Sequence, residues 1–144
     1  MPPLRPRALR VGDRLGVLGR EDLPMFERGI RSLRELGYDV RVADVPAGSL
    51  EEPGRAKQLA DALHRFLVQP ETRAVIFPSG SAAWPAGWGR LVPFLDFPLI
   101  ARHPCILCGF SGATAVLLAA HARTGLVTFY GPMVAEEWSE GPSG

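Results

Sequence analysis

The chain reads RLGVLGREDLPMFERGIRSLRELGYDVRVA over residues 14–43, and this stretch decides the predicted fold class. Its first apolar residues, 15–18, predict a short strand, and residues 39–43 predict a second one. Between them lies a helical pattern that starts near Pro24 and stops at Gly37, a residue type that often follows the last turn of a helix. The apolar positions of this helix are Phe26, Ile30, Leu33 and Leu36. A strand, a helix and a strand in this order form a βαβ unit, whose strands pair in parallel through a right-handed crossover.

The alternation of strand and helix patterns continues through the rest of the chain. Asp22 and Ser49 are the expected N-caps of the first two helices, since Ser49 and Glu52 have the spacing of a capping box. Further strands are predicted at residues 74–77, 105–108 and 126–130, with short helical pieces at 90–95 and 98–102 and a longer helix at 112–123. These elements predict an α/β fold with an open, mainly parallel sheet and helices on both faces, a flavodoxin-like three-layer sandwich.

Composition and charge exclude several classes of protein. The 144 residues carry 16 basic and 15 acidic side chains, and 47% are hydrophobic, which is typical of one folded domain. The balanced charge argues against a nucleic-acid partner. The N-terminal residues lack the apolar stretch of a secretion signal, and the longest apolar run, 115–120, is too short to cross a bilayer. We therefore predict a cytoplasmic protein without a membrane partner.

Two cysteines, Cys105 and Cys108, lie in an apolar run that reads as the fourth strand. Residues three apart in a strand point to opposite faces of the sheet, so a redox pair is not favoured. We predict two buried structural thiols. The sequence predicts no metal site and no organic cofactor.

Ligands of open parallel sheets bind beyond the carboxyl ends of the strands, which directs attention to residues 19–21, 79–81 and 109–112. Arg20 and Glu21 could hold a substrate carboxylate or close a turn. Trp84 and Trp88 lie in a predicted long loop at residues 78–89. These two indoles could roof a peptide-binding cleft or pack on a neighbouring surface.

Residues 109–114 read GFSGAT between a predicted strand and a predicted helix, which places Ser111 in a sharp turn. This is the context of a nucleophile elbow, although Ala113 stands where the G-x-S-x-G motif has its last glycine. The N–H of Gly112 could face a developing oxyanion at the helix N-terminus. A serine in a glycine-rich turn also caps helices structurally, and a helix N-terminus can hold a phosphate, so catalysis, structure and anion binding all stay open.

Several segments of the chain resemble the N-terminal domain of LD-carboxypeptidases, which are cytoplasmic serine peptidases of murein recycling related to microcin-immunity peptidases. The matching segments are RVGDRLGV at 10–17, FERG at 26–29, LGY at 36–38, GFS at 109–111 and ARTGLVTFYGPM at 122–133. The last segment is the most specific, because twelve such residues have little reason to recur by chance. The resemblance implies a nucleophile-bearing α/β domain at residues 1–137, the start of a linker or tail at 138–144, and an absent C-terminal domain.

The resemblance implies that Ser111 is the nucleophile, in the family's G-[YF]-S-D-x-T turn. It implies that the backbone N–H groups of Gly112 and Gly80 form the oxyanion hole. Residues expected beside the substrate are Ser79, Ser81 and Trp84. Two features depart from the family pattern: Gly112 replaces an Asp, and the family's R-G-G-Y-G loop is matched only as SGSAA at residues 79–83.

A serine nucleophile needs a base and a group that orients it, and the family takes its His and Glu from the C-terminal domain. His121 lies ten residues along the predicted helix from Ser111, about 15 Å away, and His103 lies roughly 20 Å away at the opposite sheet edge. His64 falls within the second helix. We interpret all three as ordinary surface or partly buried histidines. The acidic residues Glu136, Glu137 and Glu140 beside Trp138 are expected to be solvated or to begin a linker.

Two functions follow as hypotheses. The first is an LD-carboxypeptidase-like serine peptidase domain that acts on the L,D peptide bonds of murein peptides and is incomplete as given. The alternative is a non-catalytic, degenerate domain of the same fold that binds a peptide or a partner. Either one is expected to expose an apolar face to a missing C-terminal domain, or to a second copy in a homo-oligomer.

Overall fold

A computed structural model describes residues 2–80 and 82–141 of the chain. The strands are β1 (Arg14–Val17), β2 (Asp39–Val42), β3 (Thr72–Ile76), β4 (Ile106–Gly109) and β5 (Phe129–Tyr130). The helices are α1 (Pro24–Glu35), α2 (Arg55–Val68), α3 (Phe97–Arg102) and α4 (Thr114–Thr124). Short 3-10 segments cover Trp88–Phe94, Ser111–Ala113 and Glu137–Glu140.

The strands form one sheet in the order β2-β1-β3-β4-β5, and every neighbouring pair is parallel. This is the strand order of flavodoxin-like folds, whose ligands bind where the order reverses, between β1 and β3. All five carboxyl ends lie along the same edge of the sheet. The fold class predicted from the sequence is confirmed, and the segments that follow β1, β3 and β4 meet at one edge.

Helices cover both faces of the sheet, which completes three layers. Helix α1 packs Phe26, Ile30 and Leu33 on one face. Helices α2, α3 and α4 cover the other face, where their buried residues include Leu63, Ile100 and Leu117. Side chains of the central strand β3 alternate between these two clusters, as the pleat of a strand requires.

Both predicted N-caps are wrong. Helix α1 has Leu23 at its N-cap, with no side-chain hydrogen bond, and Pro24 begins the helix. The Ser49 hydroxyl accepts a hydrogen bond from the Glu51 N–H at 3.2 Å, in a turn that precedes α2 by several residues. Ser49 therefore stabilises the turn that leads into the helix. The N-cap residue of α2 is Gly54, whose φ is 81°.

Strand β5 is shorter than predicted because the N-terminal segment forms hydrogen bonds with the first residues of the predicted strand. Leu4 donates to the Gly125 carbonyl and accepts from the Val127 N–H, both at 2.8 Å. Residues 125–127 therefore pair with Leu4 rather than with β4, and only Phe129 and Tyr130 continue the sheet.

Both cysteines are free thiols that pack on opposite faces of the sheet, as predicted. Burial raises the pKa of Cys105 to about 12 and that of Cys108, which is half-buried, to about 11. Such thiols stay protonated at neutral pH and are poor nucleophiles. None of the described helices has both the length and the apolar character that crossing a bilayer requires.

The segment that follows β5 crosses the carboxyl edge of the sheet from one face to the other. Met133 packs in the cluster under α2 and α4, whereas Val134 and Ala135 pack in the cluster under α1. The crossing is fixed by backbone hydrogen bonds, among them the Ala135 N–H to the Pro78 carbonyl at 2.8 Å. The crossing segment therefore delivers the next residue, Glu136, to the end of β3.

Replacement of Gly29 tests this crossing. A Cβ on Gly29 would lie 1.9 Å from the Val134 carbonyl oxygen, so the helix and the crossing segment would have to separate. Alanine favours an isolated helix over glycine by about 1 kcal/mol, but overpacking against backbone costs about 1–3 kcal/mol. We expect Gly29→Ala to lower the midpoint of thermal unfolding, measured by circular dichroism. Arg31→Ala on the exposed face of α1 is the control and should change it little. A Gly29→Ala variant as stable as the parent would contradict the close contact.

Candidate active site

A cleft of about 420 Å³ opens at the carboxyl edge of the sheet, a volume in the range of small-molecule and peptide sites. Its apolar lining residues are Leu23, Met25, Ala82, Ala83, Phe110 and Ala135, and its polar ones are Glu21, Ser79, Gly80, Ser111 and Glu136. The segments that follow β1, β3 and β4 all contribute residues to the lining of the cleft. The cleft therefore lies where ligands of open parallel sheets are bound.

Ser111 is exposed at the turn between β4 and α4, and its backbone is strained. Its φ of 55° is left-handed, a region that costs a residue with a side chain about 1–2 kcal/mol. The preceding residue, Phe110, is extended, and a 3-10 turn leads directly into α4. A strained serine between a strand and a helix has the geometry of a nucleophile elbow, in which the hydroxyl points away from the sheet.

Gly80, in the loop after β3, lies beside the Ser111 hydroxyl. The point that a Cβ on Gly80 would occupy lies 3.9 Å from Ser111 Oγ and also 3.9 Å from Glu136 Oε1. Gly112 lies in the first turn that follows Ser111, where backbone N–H groups have no acceptor within the helix. The structure thus brings together the three residues expected to form the nucleophile and the oxyanion hole. Whether both N–H groups bind an oxyanion stays a prediction.

Glu21 holds the loop that carries Gly80. The side chain of Glu21 is only 4% exposed, and its carboxylate accepts hydrogen bonds from the Ser79 hydroxyl and from Trp84 Nε1, the latter at 2.7 Å. Trp88 Nε1 donates to the Ser79 carbonyl at 2.9 Å. The residue before Gly80 is therefore fixed at its side chain and at its backbone. Glu21 therefore joins the end of β1 to the loop after β3, a long-range role that differs from the turn closure considered in the sequence analysis.

Trp84 and Trp88 both lie in the core, with no exposed surface, and their rings stack at 4.7 Å. Gly19, with a φ of 105°, makes room for Trp84, since a Cβ there would lie 2.3 Å from its ring. This burial revises the prediction that Trp84 contacts a substrate: its ring supports the cleft from below. The sequence carried no signal for this choice, because loop tryptophans fill cores and roof clefts alike.

The other residues predicted beside a substrate have different placements. Ser79 lines the cleft but is buried, and its hydroxyl is used by Glu21. Ser81 lies outside the described residues. Arg20 is exposed and pairs with Asp44 at 2.8 Å.

Glu136 is the acidic residue that the sequence analysis misjudged. It is half-buried in the wall of the cleft, whereas Glu137 and Glu140 are exposed as expected. Burial raises the pKa of the Glu136 carboxyl group, a hydrogen bond from the backbone N–H of Gly80 lowers it, and the negative charges of Glu137 and Glu21 raise it. The placement depends on the hydrogen bond between Ala135 and Pro78, a long-range contact that no local pattern reveals.

None of the three histidines lines the cleft. His64 Nε2 accepts a hydrogen bond from the Asp96 N–H at 3.0 Å, and burial lowers its pKa. His121 Nδ1 lies 2.8 Å from the Leu126 carbonyl oxygen, and His103 caps the end of α3. Each histidine therefore has a structural position away from Ser111, as the sequence analysis expected.

A larger hollow of about 640 Å³ lies elsewhere, between the start of α2 and residues 86–94. Its charged groups are used in ion pairs, such as Arg90 with Glu51 at 3.0 Å and Lys57 with Asp61 at 2.9 Å. No serine, cysteine or histidine lines it among the described residues. The cleft beside Ser111 is therefore the better candidate for chemistry.

A flavodoxin-like sheet with a strained serine in the turn after β4 has the arrangement of strand, turn and helix that serine hydrolases of the α/β class share. The chain belongs to the family of the LD-carboxypeptidase N-terminal domain, whose model matches residues 17–131. This family consists of serine-type carboxypeptidases, so the resemblance found in the sequence is confirmed.

Three relatives illustrate the likeness. The "Probable murein peptide carboxypeptidase" of Bacillus subtilis (strain 168) is 34% identical over 92% of this chain and 42% of its own length. The structure of the microcin C7 self-immunity protein MccF, a protein of Escherichia coli, superposes with a TM-score of 0.82 and 29% identity, over 97% of this chain and 43% of that one. A muramoyltetrapeptide carboxypeptidase from Oxalobacter formigenes has a TM-score of 0.69 over 90% of this chain and 43% of its own, and at 21% identity it shows the shared fold alone. The chain spans about two fifths of the length of these relatives.

Substitutions of Ser111 test the strain in its backbone. We expect Ser111→Gly to be about 1 kcal/mol more stable than Ser111→Ala, because glycine adopts a φ of 55° without a Cβ clash. Both variants remove the same exposed hydroxyl, so the difference isolates the backbone. Urea unfolding followed by fluorescence measures it. Equal stability of the two variants would show that the turn is not strained.

The Glu136 carboxyl group should make stability depend on pH. Its pKa is raised in the folded state above its ordinary value of 4.5, so the folded protein binds the proton more tightly. The resulting stabilisation is complete below pH 4.5 and is lost as the pH rises through the folded-state pKa. Glu136→Gln removes this loss. The thermal midpoint of the variant, relative to that of the parent, should therefore increase between pH 4 and pH 7. Glu140→Gln, which makes the same change at an exposed position in the same segment, is the control. The prediction fails if both variants show the same offset at every pH.

Proposed function

We propose that this chain is the nucleophile-bearing domain of a serine carboxypeptidase that hydrolyses the L,D peptide bonds of murein peptides. The observation that carries the proposal is Ser111, exposed in a strained turn and flanked by Gly80 within a cleft of about 420 Å³. The 34% identity to a probable murein peptide carboxypeptidase supports the choice of substrate. The same role favours a cytoplasmic location.

In the proposed mechanism, Ser111 Oγ attacks the carbonyl carbon of the scissile bond while a base accepts the hydroxyl proton. The carbonyl oxygen becomes an oxyanion, which the N–H groups of Gly112 and Gly80 stabilise together with the positive end of α4. For this step the Gly80 N–H would exchange the Glu136 carboxylate for the oxyanion. The C–N bond then breaks, and the leaving amine takes the proton from the base. Water hydrolyses the resulting ester and restores the serine. The tie between Glu21 and Ser79 keeps Gly80 in place during these steps.

The base and the acid that orients it are proposed to come from a second domain that follows residues 1–137, with 138–144 beginning the connection to it. The described lining of the cleft holds no histidine, and the chain spans about two fifths of its relatives. Large apolar side chains are exposed around the cleft, including Leu23, Met25 and Tyr130. Such a surface suits a covering domain or a second copy of the chain.

A second candidate is a non-catalytic domain that binds a peptide or a partner in the same cleft. It is favoured by the lack of a histidine in the described lining and by Gly112, which stands where the family pattern has an acidic residue. The two candidates differ in one property, the reactivity of the Ser111 hydroxyl.

A fluorophosphonate probe with imidazole as an external base tests that reactivity on the intact chain. Imidazole replaces the proposed missing histidine, so the probe should react at Ser111 about 100-fold faster than at any other serine, the effect of one oxyanion donor. Mass spectrometry of peptides locates the adduct. Ser111→Ala should abolish it, and the parent unfolded in urea should show no preference among serines.

The outcomes separate the candidates. An adduct at Ser111 that increases with imidazole supports the peptidase domain. No adduct at any imidazole concentration, or an adduct that persists in Ser111→Ala, overturns it and favours the binding domain.

A further inference from the structure

A basic hollow of about 360 Å³ lies at the amino edge of the sheet, where the strands begin, opposite the cleft beside Ser111. Its lining includes four arginines and a histidine, which are Arg5, Arg7, Arg73, Arg102 and His103. Among the described residues, no aspartate or glutamate lines it. A hollow walled by charges of one sign concentrates ions of the other sign, so this surface attracts anions.

The basic side chains come from segments that only the fold brings together. Arg5 and Arg7 lie in the N-terminal segment. Arg73 lies at the start of β3, and Arg102 is the last residue of α3, shortly before β4. Because β3 and β4 pair in parallel, their starts are neighbours at this edge. The grouping of charge is therefore a property of the tertiary structure and has no counterpart in a run of basic residues.

Three of these arginines are available to a ligand. Arg7 is already occupied, because its Nη2 donates to both carboxylate oxygens of Asp13, at 2.9 and 3.0 Å. In the part of the chain that the structure describes, Arg5, Arg73 and Arg102 take part in no ion pair. Arg5 and Arg102 are exposed, and Arg73 is half-buried.

The neighbouring negative charges do not balance this group. Helices α2 and α3 end at this edge, and each C-terminal end carries about half a negative charge, which Arg102 offsets in the last turn of α3. Arg5 and Arg73 belong to neither helix. Glu71 lies 3.8 Å from Arg14 and does not line the hollow. A surplus of positive charge is therefore left for an anion to neutralise.

We propose that this hollow binds a diphosphate group, as free pyrophosphate or as its organic ester. A guanidinium group donates two parallel N–H bonds to phosphate oxygens, and guanidinium groups on three different segments can hold two adjacent phosphates at once. The volume of the hollow is in the range of small-molecule sites. The strands separate it from Ser111 by roughly 15 Å, so the inference does not depend on the proposed peptidase function.

Inorganic pyrophosphate and orthophosphate are the two probes that test the proposal. Isothermal titration calorimetry on the intact chain compares them at pH 7 and constant ionic strength, without divalent cations, which would bind the anions themselves. Pyrophosphate should bind at least about tenfold more tightly, the effect of one further hydrogen bond to a charged group. Equal binding of the two anions, or binding of neither, overturns the proposal.

ADP distinguishes the two sources of the diphosphate group, because it carries that group as an ester. Binding of ADP that is tighter than that of pyrophosphate supports an organic diphosphate as the ligand. Weaker binding of ADP supports the free anion.

Substitutions of the arginines locate the bound anion. Arg5→Gln and Arg102→Gln each remove one charge from an exposed position, and each should weaken pyrophosphate binding about tenfold. Arg73→Gln should do the same, with circular dichroism to confirm that this half-buried position still allows folding. Arg10→Gln is the matched control, since it removes the same charge from an exposed position in the N-terminal segment, outside the hollow. It should change the affinity by less than about twofold, because salt screens distant charges.

Two further results would overturn the proposal. Pyrophosphate affinity that is unchanged in both Arg5→Gln and Arg102→Gln would place the anion elsewhere, for example at the turn that contains Ser111. A loss in Arg10→Gln as large as that in Arg5→Gln would show a response to net charge alone.

Discussion

The geometry of the candidate site depends on the buried carboxylate of Glu21. A buried charge is tolerated only when donors surround it, and the Ser79 hydroxyl and the Trp84 indole supply them. These two bonds join the end of β1 to the loop after β3, across the point where the strand order reverses. The Trp84 ring can reach Glu21 because Gly19 leaves space for it. Gly80 follows Ser79 directly, so its distance from Ser111 is set by this buried interaction.

Most of the fold could be predicted because its signals are local. The helical spacing of Phe26, Ile30 and Leu33 defined α1 and its buried face. Strands that alternate with helices through short connections favour parallel pairing by crossover, which the sheet shows. The errors arose where distant segments compete for the same backbone groups. Residues 125–127 have the pattern of a strand, but Leu4 takes their hydrogen bonds, and no pattern within the strand shows that competitor.

In the candidate site, too, the local features could be predicted from the sequence and the long-range contacts could not. The turn at Ser111 could be predicted because a strand, a glycine-rich turn and a helix follow one another in the sequence. Glu136 could not, because its position comes from a crossing segment that is held by Pro78 at one end and by Gly29 beneath it. The choice between core and cleft for Trp84 likewise depends on a carboxylate 63 residues away.

A carboxylate beside a nucleophile affects the reaction as well as binding. In the proposed mechanism, the negative charge of Glu136 would oppose the oxyanion that forms on attack by Ser111, because Glu136 Oε1 and Ser111 Oγ flank the same residue, Gly80. This repulsion would slow the chemical step more than it would weaken substrate binding, since only the transition state carries the second negative charge.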